Sequence, residues 1–192
     1  AMQNDDGGWA AFDRTKDRAW MEAIPFADHN AMQDPSCSDI TGRVIESLIT
    51  CGVKPDHPAI QHGSDYLLRT QKTQGCWWGR WGVNYLYGTW QAVNGLMFAH
   101  APLGPASALM PEVLLPQPLP LAESRLPDAV RTALTRARDW LLSVQNHDGG
   151  FGESANSYLE ASPMAHGHGG AGTARQTAGG LTTPPHLCPA HH

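Results

Sequence analysis

Two kinds of side chain in this sequence have the chemistry of a site: acids placed where a helix begins, and a crowd of aromatic rings. The stretch QKTQGCWWGRWGVNYLYGTW, from Gln71 to Trp90, holds four of the seven tryptophans. Rings at that density make a core, a binding surface, or the wall of a site for a greasy or cationic substrate, because the face of an aromatic ring attracts positive charge. Asp39 follows Ser36 and Ser38 and opens a helical pattern. A carboxylate there can accept backbone N–H groups as an N-cap and offset the helix dipole. Arg43 lies one turn further on, where a simple surface pair with Asp39 would be worth only about 0.3–0.5 kcal/mol.

The remaining reactive residues form no pattern. Cys37, Cys51, Cys76 and Cys188 include no CxxC pair, which argues against a zinc knuckle or a secreted disulfide framework and for a reducing compartment. His166 and His168 of HGHG, with His186, Cys188, His191 and His192, are of the right type for zinc. They lie in a segment without a fixed framework or partners to orient them, so no metal and no cofactor is expected.

Positioning those groups requires a folded frame, and composition permits one. The chain has 192 residues, 41% hydrophobic and 16% charged, enough for one domain with a sizeable core or for part of a larger one. A net charge of -5, with acids and bases interspersed, gives no reason to expect nucleic acid as a partner. The opening AMQNDDGGW lacks the regions of a signal peptide, and no apolar run reaches the roughly 20 residues that span a bilayer. Surface association stays open.

Three segments repeat: QNDDGGW from Gln3, QKTQGCW from Gln71 and QNHDGGF from Gln145, all of the form QxxxGx(W/F). The second and third each follow a helical pattern. One runs from about Pro58 to Thr70, with Ile60, Tyr66, Leu67 and Leu68; the other runs from about Pro127 to Val144, with Val130, Leu134, Ala137, Trp140 and Leu141. Two further helices are expected, from about Ser38 to Thr50 with Gly52 as its stop, and from about Val83 to Ala99 carrying Leu86, Trp90, Val93 and Leu96. No alternating strand competes with them. The prediction is an all-α chain of helical hairpins joined by Gly-aromatic turns. Residues 101–126 hold six of the fifteen prolines and read as a long loop, while the Gly/His/Pro-rich 154–192 reads as a mostly disordered tail.

Taken together, the QxxxGxW repeats, GGWAAFD (Gly7 to Asp13), IPFADH (Ile24 to His29), DPSCSDITGR (Asp34 to Arg43) and WWGRWGVNYLYGTW (Trp77 to Trp90) resemble the squalene-hopene cyclases, bacterial triterpene cyclases. The likeness covers about residues 2–100 and 128–153, with the motifs in the family's order. It implies an α/α toroid, rings of helical hairpins around a cavity, in which the repeat Gln ties neighbouring hairpins together. Gln3, Trp9, Gln71, Trp77, Gln145 and Phe151 are then structural. That role is physically reasonable, since a Gln amide can serve orphan helix carbonyls while an aromatic ring shields the bonds from water. The implied reaction is cyclisation of squalene or a related polyprene, begun by protonation of an alkene and carried through carbocations beside aromatic faces. By the same likeness Asp39 matches an active-site aspartate, and Arg43 stands where some members carry a histidine. Tyr87 matches a phenol near the acid, and Trp81 and Phe12 match cavity positions, Phe12 standing where some relatives have Tyr. Within the tryptophan cluster, Trp77 is expected in turn packing, Trp78 at the surface and Trp90 in the packing of its helix.

The family's protonating acid lies in a DxDD motif, and no DxDD occurs here; NDDG at Asn4 to Gly7 lies inside a repeat turn and is no equivalent. TARQTAGGL, from Thr173 to Leu181, keeps a trace of a family helix before the Pro/His tail. The expectation is therefore an incomplete toroid domain over 1–153, truncated at its start and disrupted near Gly170, as by a frameshift, and inactive alone. The alternative is a non-catalytic helical-repeat remnant or interaction module. The resemblance further implies cytoplasmic, peripheral (monotopic) membrane attachment, and uncovered hairpin faces imply self-association.

Overall fold

A computed structural model describes residues 2–15, 34–101, 126–154 and 157. Four helices account for the regular structure: α1 (Ser38–Thr50), α2 (Pro58–Thr70), α3 (Asn84–His100) and α4 (Asp128–Val144). No strand occurs among the described residues. IPFADH, the 102–125 part of the Pro-rich segment, TARQTAGGL and the histidines raised for zinc lie outside them.

Local chemistry sets most helix ends. α1 stops in a Schellman turn: Gly52 has φ +91°, its N–H donates to the Ile49 carbonyl at 2.9 Å, and Val53 N–H donates to the Leu48 carbonyl at 2.9 Å. α2 starts with Pro58 in its first turn, and the His57 ring accepts from Ala59 N–H at 3.1 Å. α4 carries Asp128 in its first turn. α3 has neither a capping side chain at Val83 nor an acid in its first turn.

α1 and α3 lie directly against each other, and the reason is glycine. A Cβ on Gly42 would sit 2.1 Å from the Gln91 carbonyl oxygen, and one on Gly95 would sit 2.6 Å from the Gly42 Cα. Only hydrogen at both positions lets the two backbones approach this closely. α2 and α4 form the second layer and close the core around Ile45, Ile60, Leu67, Trp77, Leu96 and Val130.

The repeat turns join the layers. In the first, Gln3 Nε2 donates to the Gly7 carbonyl at 2.7 Å and to the Ala59 carbonyl of α2 at 2.9 Å. In the second, Gln71 Nε2 donates to the Gly75 carbonyl and to the Ala133 carbonyl of α4, both at 2.8 Å. Each clasped carbonyl lies twelve residues before the Gln that follows its helix, Ala59 before Gln71 and Ala133 before Gln145, so the two units are clasped at the same register. Trp9 and Trp77 are buried beside their turns. Trp9 N–H donates to Thr41 Oγ1 of α1 at 3.0 Å, and Trp77 N–H to Thr89 Oγ1 of α3 at 2.9 Å. Each of these two repeats thus grips one helix of either layer.

Trp90 corrects the sequence reading: it lies on α3 but is 58% exposed, touching Tyr87 edge-on with ring centroids 6.2 Å apart. α3 presents apolar residues on all sides, so its periodicity does not mark the core face. Among the described residues no helix is long and apolar enough to cross a membrane.

Candidate functional site

The chemistry-bearing residues meet at the N-terminal ends of α1 and α3. Asp39, in the first turn of α1, is fully buried. The N-cap of α1 is Cys37, with no side-chain capping bond. Asp39 is therefore not the N-cap that its place after two serines suggested. One carboxylate oxygen, Oδ2, accepts the Trp81 backbone N–H at 2.8 Å, while the other, Oδ1, is buried without an N–H or O–H donor among the described residues. Cys37 lies against it. Burial, and after it the charge of Asp39 and a side-chain hydrogen bond to it, push the Cys37 thiol far above the ordinary thiol range, so the protonated thiol is a weak donor beside this carboxylate.

Trp81 comes from the loop between the second repeat turn and α3. Phe12 meets its ring edge-on at 5.2 Å, with an interplanar angle of 85°. The indole Nε1–H donates to Asp34 Oδ2 at 3.2 Å. Asp34 is the hub of this corner: it pairs with the Arg80 guanidinium and accepts Ala11 N–H at 2.9 Å. Both partners of the ion pair are buried, and a buried carboxylate is stable only with such donors around it. Tyr87, on α3, packs beneath Gly79 and Gly82, and its hydroxyl accepts a long bond from Arg43 Nη1 at 3.4 Å. Arg43 therefore reaches Tyr87, and the surface pair with Asp39 that their spacing allows is not the contact it makes.

The structure brings Asp39, Trp81 and Phe12 together in one corner and places Arg43 with Tyr87 beside it. Phe12 is 64% exposed, so this wall is open on one side. Three charged groups that hold this region together were missed in the sequence. Asp34 and Arg80 lie inside DPSCSDITGR and WWGRWGVNYLYGTW, but as single charges in two loops they have no spacing that pairs them. Glu153, just after the third repeat, accepts three backbone N–H groups from the start of α3: Asn84 at 3.2 Å, Tyr85 at 3.0 Å and Leu86 at 2.9 Å. Its only sequence signal is an acid two residues after the repeat aromatic. Among the described residues no three His, Cys, Asp or Glu side chains converge to hold a metal.

Helical hairpins in two layers, tied by repeat turns and carrying a buried acid among aromatic rings, define part of an α/α toroid of the terpenoid-cyclase class. The sequence model of the squalene-hopene cyclase C-terminal domain matches residues 1–110 and 121–183, and the chain belongs to that family. A squalene-hopene cyclase of Zymomonas mobilis is 36% identical over 157 residues, covering 82% of this chain and 20% of that protein. One of Bradyrhizobium diazoefficiens is 36% identical over 187 residues, covering 94% of this chain and 23% of that protein. A dammaradiene synthase of Dryopteris crassirhizoma is 36% identical over 199 residues, 94% of this chain and 25% of that protein. The chain spans a quarter or less of the length of these relatives.

Proposed function

We propose that this chain is one wall of a triterpene-cyclising chamber, in which squalene or a related polyprene is held and folded while carbocations form. Asp39 is the group that receives and holds the protonating acid, which another segment supplies. Trp81 and Phe12 present ring faces to the developing charge, and Arg43 with Tyr87 flanks the acid. Gln3, Trp9, Gln71, Trp77, Gln145 and Phe151 hold the frame. The observation that carries this reading is the fully buried Asp39 carboxylate, whose Oδ1 has no N–H or O–H donor among the described residues and only the Cys37 thiol beside it. A buried carboxylate oxygen with no strong donor is costly, and an acid proton from another segment would supply one.

The test has two arms. Incubating the purified chain with squalene is expected to yield no pentacyclic product, and clear turnover would overturn the assignment of the acid to another segment. A lipophilic tertiary amine, protonated as a stand-in for the carbocation, is expected to quench tryptophan emission in the chain and not in Trp81→Leu. Equal quenching in both would remove Trp81 from the wall.

The alternative, a non-catalytic repeat fragment, is favoured by one observation: the third repeat aromatic, Phe151, is 49% exposed. Peripheral membrane attachment and self-association belong to the proposal as well, supported by the exposed Trp90, Leu142 and Phe151.

A further inference from the structure

We propose that Glu153 is a positioning residue for this wall: its carboxylate sets the first turn of α3 and, through that turn, the place of the Tyr87 phenol. The inference rests on the reading of Tyr87 as part of the cyclase wall. α3 begins without local support. Val83 supplies no capping side chain and the first turn contains no acid, whereas α1 has Asp39, α2 has the His57 ring and α4 has Asp128. Its first three N–H groups would be orphans. All three are taken by Glu153, which follows the third repeat turn: Oε2 accepts from Asn84 and Leu86, and Oε1 from Tyr85.

The same short segment adds a second hold. Asn84 Nδ2 donates to Ser157 Oγ at 3.3 Å, and Ser157 Oγ donates back to the Ser154 carbonyl at 2.9 Å. Asn84 in turn fixes the loop that frames Tyr87, since its carbonyl accepts Gly79 N–H at 3.0 Å. Space around the ring is tight. A Cβ on Gly82 would lie 2.4 Å from Tyr87 Cγ, and one on Gly79 would lie 2.8 Å from Tyr87 Cδ1. A small rotation of the first turn therefore moves the phenol away from Arg43 rather than being absorbed by slack. The charge of Glu153 has a further effect. A helix N-terminus carries about half a positive charge, and the carboxylate cancels it next to a wall meant for cations.

The test uses the 192-residue chain with ¹³C-labelled tyrosine, Tyr87 being assigned by Tyr87→Phe. In Glu153→Ala, amide hydrogen exchange at Asn84, Tyr85 and Leu86 is expected to rise at least tenfold. The Tyr87 ring resonances should shift or broaden while those of Tyr66, on α2, stay in place. Glu153→Gln, which keeps one acceptor and removes the charge, should restore the Tyr87 signals part way. If the amides exchange faster and Tyr87 does not move, Glu153 is a simple cap and the proposal fails; it fails equally if neither changes. Should Glu153→Ala not fold, Glu153→Gln and Glu153→Asp give the same two readouts. No substrate enters the experiment, so a failure to bind or convert squalene leaves its result standing, and its failure leaves the cyclase reading standing.

Discussion

The first two repeat turns and the third have the same local structure and different surroundings. In all three, the N–H of the residue after the Gln donates to a carbonyl four residues on, at 2.9 Å: Asn4 to Gly8, Lys72 to Cys76 and Asn146 to Gly150. The repeat Gln amide also reaches the carbonyl of the repeat glycine in each, at 2.7, 2.8 and 2.7 Å. Only the first two Gln side chains have a second bond, to a helix of the next unit; among the described residues Gln145 has none. Trp77 is fully buried and Phe151 is half exposed. A Cβ on Gly75 would lie 2.4 Å from the Arg136 carbonyl, while on Gly149 it would meet nothing nearer than the Gln145 amide at 3.9 Å. The turn is therefore written in its own seven residues, and its contribution to stability comes from the helix that docks on it.

The largest effect that separates the two kinds of turn belongs to the aromatics. Trp77→Ala should cost about 3–5 kcal/mol in urea unfolding, through lost burial and the cavity left behind. Phe151→Ala should cost under about 1 kcal/mol. Equal losses would mean that the third turn also supports the core. Next come the glycines. Gly75 and Gly149 both have positive φ, 102° and 86°, so alanine strains either. Only at Gly75 does the added methyl also strike a helix backbone, and overpacking of that kind adds about 1–3 kcal/mol. Gly75→Ala should exceed Gly149→Ala by that margin, and the unfolding midpoints of the two variants measure it.

This contrast also explains what was legible in the sequence. α1 and α2 begin and end where they were expected, because Gly52, with its positive φ, and Pro58 are local signals. The repeats were visible because each turn is a local structure. α3 was expected from Val83 to Ala99 and runs from Asn84 to His100; its cap is Glu153, nearly seventy residues away in sequence, and no local signal replaces it. The same holds at the site. Asp39 stands in the first turn of α1 rather than at the N-cap its neighbours suggested, and its oxygen serves Trp81 N–H from a different repeat unit. Asp34 and Arg80 were passed over because a buried ion pair formed by single charges in two loops leaves no periodic trace. The sequence could place elements wherever short-range chemistry decides, and not the contacts that close only when units stack.

A smaller effect should separate the glutamines. Gln71 loses its bonds to Gly75 and Ala133 on truncation, together with the one it accepts from Arg136 Nη1 at 3.0 Å. At roughly 0.5–1.5 kcal/mol per net hydrogen bond, and with the Ala133 carbonyl keeping its helical bond, Gln71→Ala should cost about 1–2 kcal/mol. Gln145→Ala, which breaks one exposed bond, should cost less than about 0.5 kcal/mol. If the two were alike, the bridge to α4 would contribute nothing.

The last separation is one of pH. The residue after the repeat glycine is Cys76 in the second turn and Gly150 in the third. Burial pushes the Cys76 thiol up to about 11, from an ordinary value of 9.0. Between those values the folded chain holds a proton that the unfolded chain has released, so the contribution is fully present below pH 9 and is lost as pH rises toward 11. Cys37 and Tyr66 are also raised by burial, so the whole chain should weaken in alkali. The comparison isolates the turn: Cys76→Ala should flatten part of the fall in unfolding midpoint from pH 9 to 11, and Gly150→Ala should leave the slope as it was. An unchanged slope in Cys76→Ala would show that the second turn opens to solvent in the folded chain as readily as the third, and the contrast between closed and open turns would not hold in solution.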